Sequence, residues 1–306
     1  MLDQARELRK LVLRSLREPM SDGSPPPQRL VVCGAATGVG ATTLSVRLAV
    51  ALSGQGCRVV LVDADLHRAD VADLCGLTPS AGITDVLAAR RDIHEVLQPG
   101  PAGIQVVVGH KGAWRPSDWS EVAQQRLLRQ LSRLGRHADL IVLHAGCGTH
   151  EVMRRFWRAA NQVVLVATPE TLALTDFCAA LPRWVCKDRP VSLRLLVNRT
   201  SDQSLVEEIQ HRLQDASEGL RGWNLDLLGC LPNDPDVEAA GPAAMCRALA
   251  WRETILTRAM DALAARLLAE KPQSVAASRP QGRALAERLN PADLTQPQPG
   301  FSPIDI

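Results

Sequence analysis

Residues 3–18 set Ala5, Leu8, Val12 and Leu16 three or four positions apart, with Arg6, Arg9, Lys10, Arg14 and Arg17 mostly elsewhere. On a helix of 3.6 residues per turn this spacing makes one apolar stripe, so residues 1–18 are expected to form an amphipathic helix. A linker at residues 19–29 follows, carrying Ser21, Gly23, Ser24, Pro25, Pro26 and Pro27. It can neither continue the helix nor supply ladder hydrogen bonds. From Leu30 onward, short apolar runs alternate with helical segments, at residues 30–33, 59–62, 104–108, 140–143, 162–167, 193–197 and 226–230. Continuous apolar strands separated by helices indicate a parallel sheet covered on both faces. The expected fold is therefore α/β, a mostly parallel twisted sheet of about seven to eight strands with helices on both faces, whose strand carboxyl ends form the ligand edge. Leu249, Leu256, Met260, Leu263 and Leu267 then trace one face of a closing helix, which ends the expected core of residues 30–270. Residues 271–306, rich in Pro, Gln, Ser and Ala, are expected to be disordered apart from a brief helix at 283–289.

Composition narrows this picture. A chain of 306 residues with 46% apolar content fills a sizeable core. The net charge of +2 is small, the only lysines are Lys10, Lys111, Lys187 and Lys271, and no long basic run exists, so no nucleic-acid partner is expected. Eight cysteines form no CxxC pair, and Cys33, Cys147 and Cys230, in or just after strand-like runs, are expected to be small buried thiols. No apolar stretch approaches the ~20 residues of a membrane span, so a cytoplasmic protein is expected.

The chemistry gathers after the first core strand, in Gly34-Ala35-Ala36-Thr37-Gly38-Val39-Gly40-Ala41-Thr42-Thr43, which leads into the helical run 44–52. A strand, a glycine-containing turn and a helix start converge backbone N–H groups on an anion. Gly38 and Gly40 allow close approach, Thr42 is placed to hold Mg²⁺ through its hydroxyl, and Thr43 to reach an α-phosphate. A second strand-like run, residues 59–62, ends in Asp63-Ala64-Asp65, and on an extended segment carboxylates two positions apart share one direction.

The order of these motifs over residues 3–268 resembles the MinD/ParA/FlhG family of P-loop ATPases, whose loop reads Lys-Gly-Gly-x-Gly-Lys-Thr-Thr. The resemblance implies ATP or ADP with Mg²⁺ on Gly38, Val39, Gly40, Ala41, Thr42 and Thr43. It assigns Asp63 with Thr42 to the metal and Asp65 to the attacking water. Asn198 and Arg199, in Leu196-Val197-Asn198-Arg199, and Pro232, in Leu228-Gly229-Cys230-Leu231-Pro232-Asn233-Asp234-Pro235, match segments that hold the adenine. Val166-Ala167-Thr168-Pro169-Glu170 matches the family's Thr-Pro-Glu segment, and residues 67–77 its first switch. The departures are as informative. Ala36 replaces the signature lysine that reaches across a homodimer, Ala41 replaces the general phosphate lysine, and Thr37 replaces the first loop glycine. His144, in Leu143-His144-Ala145-Gly146-Cys147-Gly148, stands where the family has a magnesium-shell aspartate. A neutral imidazole does not supply a carboxylate's charge; Gly146 and Gly148 are expected to keep the second switch flexible. Weak or absent hydrolysis follows.

Asp3-Gln4-Ala5-Arg6-Glu7-Leu8-Arg9 resembles the Asp-Gln-Ala-x-x-Leu-Arg element with which FlhG-type proteins stimulate the flagellar GTPase FlhF. It implies a regulator of flagellar placement or number with an FlhF-like partner. Two other readings stand beside it. One is a non-catalytic scaffold resembling the TadZ/CpaE group, whose receiver-like domain residues 1–29 do not supply; the other is an active ParA/MinD-type positioning ATPase, against which the missing lysines count. Family likeness also implies transient peripheral contact of the last helix, residues 242–270, with the inner face of the cell membrane. The acidic residues Glu253, Asp261 and Glu270 on that helix favour core packing instead.

Overall fold

The computed structural model describes residues 25–65, 67–78, 80–110, 120–148, 151–170, 179, 192–217, 224–234 and 254–269. The expected helix at 1–18, most of the linker, residues 171–176, the amino-terminal part of the closing helix and the tail at 271–306 lie outside the described residues.

Eight strands form one sheet: β1 (Gln28–Gly34), β2 (Val59–Asp63), β3 (Gln98–Pro99), β4 (Gln105–Val107), β5 (Leu140–Cys147), β6 (Gln162–Ala167), β7 (Ser192–Val197) and β8 (Asn224–Cys230), in the order β3-β4-β2-β5-β1-β6-β7-β8. Every pairing is parallel except the two-residue edge strand β3 on β4. The seven expected strands are all present. The eighth, β3, carries no apolar run, and its pairing is set by the turn through Gly100, whose N–H donates to the Ile104 carbonyl at 2.8 Å.

Alternate residues of each strand feed opposite cores, because successive side chains of a strand point to opposite faces. Val31 and Cys33 of β1 join a core with helices α3 (Ile83–Leu87), α4 (Glu121–Ser132), α5 (Glu151–Ala159) and α6 (Gln203–Ser217). Leu30 and Val32 join the other, with α1 (Ala41–Gly54), α2 (Val71–Cys75) and α7 (Ile255–Ala269). Ser120 starts α4 by accepting the Ala123 N–H on its hydroxyl at 3.3 Å, which satisfies one of the helix's free donors.

The described part of the closing helix is core. In α7, Leu256, Met260, Leu263, Ala264 and Leu267 are buried in the same core as α1, and each large side chain buried this way contributes roughly 1.5–3 kcal/mol. Beside a bulge in β8 between its pairs with Leu195 and Leu196, a Cβ on Gly229 would stand 3.0 Å from Leu263 Cδ2, and Arg266 donates to the Leu228 carbonyl there at 2.9 Å. Among the described residues no helix is long and apolar enough to cross a membrane.

Candidate functional site

The carboxyl ends of β1, β2 and β5, with the residues that follow β7, surround a cavity of about 530 Å³. Ala36, Thr37, Gly38, Gly40, Ala41, Thr42 and Thr43 line one side, Asp65, Arg68, Asp70, Asp73, His144, Gly146 and Cys147 the other, and Arg199 its rim.

The loop between β1 and α1 has the geometry of an anion cradle. Gly38 and Gly40 take φ of 82° and 90°, the left-handed region that glycine enters without steric penalty. The first main-chain bond of α1 is Leu44 N–H to the Gly40 carbonyl, at 2.9 Å. Among the described residues, no N–H from Thr37 to Thr43 donates to a carbonyl of the chain. Seven consecutive donors and a helix N-terminus beside the cavity therefore keep their hydrogen-bonding capacity unspent. Thr37 is not among the residues of positive φ, in keeping with the lost loop glycine.

Asn198 acts on this loop from behind. Its Nδ2 donates to the Val39 carbonyl at 2.9 Å, and a Cβ on Gly40 would stand 2.7 Å from the same Nδ2. The side chain is 8% exposed and does not line the cavity, nor do Val39 and Pro232. The amide expected to read an adenine edge thus locks the phosphate loop to the end of β7. Cavity lining is kept by Gly38, Gly40, Ala41, Thr42, Thr43 and Arg199.

The two aspartates do not share a direction. Asp63 is fully buried: its Oδ1 accepts the Asp65 N–H at 3.1 Å and its Oδ2 the Val71 N–H at 3.3 Å. Burial, reinforced by Asp65 and Asp70, pushes its carboxyl up to about 7. It holds the start of α2 and does not line the cavity, because the chain turns at Ala64 and the period of two ends with the strand. Asp65 does line it. Its Oδ1 accepts the N–H groups of His67 at 3.1 Å and Arg68 at 3.3 Å.

His144 is 1% exposed and lies between two hydroxyls of α1. Nδ1 is 3.2 Å from Ser45 Oγ, and Nε2 is 3.1 Å from Thr42 Oγ1. Ser45 donates its proton to the Ala41 carbonyl at 2.7 Å, so the imidazole donates from Nδ1. In the neutral ring Nε2 is then the acceptor, and the Thr42 hydroxyl donates to it. Burial favours that neutral ring, holding the imidazole down at about 4 against the opposing pull of Asp65 and Asp70. Asp65 Oδ2 is 3.9 Å from Nε2. Ser45 escaped the sequence reading, although its place three residues after Thr42 on one helix face is the signal that could have found it.

These residues do not fit Mg²⁺. A magnesium site takes hard oxygen donors in near-octahedral array, usually one or two carboxylates with waters and phosphate oxygens. Here the Asp63 carboxylate is spent on backbone N–H groups and the imidazole's only lone pair is taken by the Thr42 proton, so the Thr42 oxygen keeps its lone pairs but gains no carboxylate from Asp63 or from the position of His144. Among the described residues no three His, Cys, Asp or Glu side chains converge.

β5 does not stop at Leu143. It runs on to Cys147 with one extra residue relative to β1, and Gly146 takes up the bulge at φ 75°. A Cβ there would lie 2.7 Å from Asp65 Cγ. Gly146 thus allows the close approach of Asp65. Cys33 is buried and its thiol pushed up to about 12 by desolvation, an inert core group. Cys147 and Cys230 are only partly buried, and Cys147 lines the cavity.

Against known proteins, residues 27–268 match the family model described as ParA, NUBPL iron-transfer P-loop NTPase. The antiactivator FleN of Pseudomonas aeruginosa is 32% identical over 216 residues, covering 70% of this chain and 77% of FleN. The flagellum site-determining protein YlxH of Helicobacter pylori is 24% identical over 233 residues, covering 72% of this chain and 76% of YlxH. The structure of the septum site-determining protein MinD of Pyrococcus horikoshii, complexed with Mg-ADP, superposes with a TM-score of 0.63 at 20% identity, over 81% of this chain and 99% of MinD. The match over most of the chain, the eight-stranded sheet and the glycine-bearing loop ahead of α1 agree, and the chain belongs to the ParA/MinD family of P-loop NTPases.

Proposed function

We propose that this chain is a nucleotide-binding spatial regulator of the FlhG type, which governs flagellar placement or number through a GTPase partner and hydrolyses ATP slowly or not at all. The observation that carries the reading is the likeness to FleN and to YlxH, the second of which is named for determining the flagellum site. The element from Asp3 to Arg9 supports the partner: an amphipathic helix on a Pro-rich tether can place Leu8 and an arginine in a groove of another protein. ATP or ADP is the ligand that the unspent amides of residues 37–43 would hold.

Slow chemistry follows from what the cavity lacks. Ala36 and Ala41 carry no charge to the phosphates, and neutral His144 occupies the place of an acidic residue. Losing one electrostatic stabiliser costs about 10² to 10³ in rate, and these losses act on the same developing charge. The missing lysine at Ala36 also removes the family's contact across a nucleotide-bound homodimer.

Two measurements test the reading. The purified chain is expected to retain the flagellar signal-recognition-type GTPase in a pull-down, and to lose it when residues 1–18 are deleted; no retention of the GTPase by the full chain would sink the partner. In single-turnover assays no ATP cleavage above background is expected. Cleavage at the rate of ordinary family members, abolished by Asp65→Ala, would refute the inactive reading.

A further inference from the structure

Resting on the nucleotide-binding reading above, we infer that this site holds its nucleoside di- or triphosphate without a divalent cation, with His144 closing the metal position and Arg68 and Arg199 supplying the charge.

Three independent features of the cavity converge on this. The first is the hydrogen-bonded unit Ala41 carbonyl, Ser45, His144, Thr42, in which each donated proton meets an acceptor and both ring nitrogens are spent. A cation entering beside Thr42 would meet a buried ring whose lone pair already takes the threonine proton. A magnesium-bound water, which must donate outward, would find no free acceptor on that ring.

The second feature is the fate of the carboxylates. Asp63 is turned into the protein, and one oxygen of Asp65 is committed to two N–H groups of its own turn. Asp70 and Asp73 line the cavity too, but among the described residues no three His, Cys, Asp or Glu side chains converge there.

The third is where positive charge is found. Among the described residues no lysine lines the cavity, two exposed guanidinium groups, Arg68 and Arg199, do, and no salt bridge joins either to a carboxylate. Arg199 follows Asn198, which is itself bonded to the phosphate loop, and it takes φ of 62°, a conformation that non-glycine residues rarely adopt. A guanidinium offers paired donors to phosphate oxygens, the role that a lysine and a metal share in other sites. The acidic residues opposite oppose an anion, so the affinity is expected to be modest.

The experiment is titration of a fluorescent ADP or ATP analogue into the full-length protein, once with EDTA and once with excess MgCl₂. Dissociation constants within about twofold of each other are expected, because no protein ligand rewards the metal. A tightening by Mg²⁺ of about tenfold or more would overturn the inference and leave nucleotide binding standing. Absence of binding in both buffers would overturn the nucleotide reading itself. Arg68→Ala and Arg199→Ala alter exposed side chains and so preserve the fold; each should weaken binding about tenfold, equally in both buffers. Unchanged affinity in both variants would remove the guanidinium groups from the site. His144→Asp restores a carboxylate beside Thr42, and a folded His144→Asp protein should acquire a preference for Mg²⁺ that the parent lacks.

Discussion

The two walls of the cavity have kept different things. On the wall built by β1 and α1, both lysine positions are alanine, yet the main chain retains positive φ at Gly38 and Gly40 and unspent N–H groups from Thr37 to Thr43. On the wall built by β2 and β5, the strands end where a nucleotide site needs them, but Asp63 has turned inward and His144 fills the space beside Thr42. Main-chain recognition depends on backbone conformation, which two glycines and one asparagine suffice to hold. Metal recognition depends on which side chains are present and which atoms they leave free. On the inference drawn above, one substitution to histidine, joined to Ser45 and Thr42, would end the second while leaving the first in place.

The largest effect is expected from attacking the loop wall. Gly40→Val puts a branched side chain at φ 90° and a Cβ on the Asn198 amide, which the structure places 2.7 Å away. Left-handed strain of ~1–2 kcal/mol plus the displaced hydrogen bond to Val39 sum to about 2–4 kcal/mol of lost stability, measured by urea unfolding. Nucleotide affinity should fall about tenfold or more, since the amides diverge. Gly38→Ala separates the causes: its Cβ has open space, so only the strain at φ 82°, about 1 kcal/mol, remains. Equal losses in the two variants would mean that Asn198 does not hold the loop.

The opposite wall is exposed by pH. Asp63 has its folded pKa raised, so its stabilising contribution is full below about 3.8 and is lost as pH rises toward about 7. His144 has its folded pKa lowered, so its contribution is full above about 6.5 and is lost as pH falls toward about 4. Between these limits the two slopes oppose, each by roughly 1 kcal/mol per pH unit, and the parent protein should show a flat stability profile there. Asp63→Asn is expected to become less stable as pH falls from 6.5 to 4, and His144→Gln more stable over the same range. The slopes carry the test, because each substitution also shifts the whole curve by disturbing buried hydrogen bonds. Parallel profiles in both variants and the parent would show that neither group is held as described.

The sheet was legible in the sequence because the central strands are buried on both faces and show as largely apolar runs; Gln162–Ala167 was placed to the residue. Gln98–Pro99 was not, since a two-residue edge strand owes its pairing to a turn and has no apolar signature. In the site, local chemistry was legible: the glycines, the absent lysines and the alien His144 are all visible in the chain itself. What escaped were directions set by distant partners. Asp63 turns inward because the Val71 N–H, eight residues on, needs an acceptor. Asn198 faces the loop because Val39, 159 residues earlier, presents a carbonyl there. The bulge at Gly146 follows from the space that Asp65 takes, and neither spacing nor periodicity records it.

Asp65→Asn is expected to do least, and it sharpens the contrast between the two aspartates. The asparagine oxygen can go on accepting the N–H groups of His67 and Arg68, which lie 3.1 and 3.3 Å from Oδ1, so the turn after β2 survives with a loss within about 1 kcal/mol. Removing the charge from the cavity wall should tighten ADP by about two- to fivefold, because a carboxylate whose Oδ1 is already held by two N–H groups repels phosphate only modestly. If Asp65 positioned an attacking water, the same change would lower single-turnover cleavage by about 10² to 10³. An enzyme built on that carboxylate therefore loses activity with Asp65→Asn, whereas a metal-free binding site gains affinity with it.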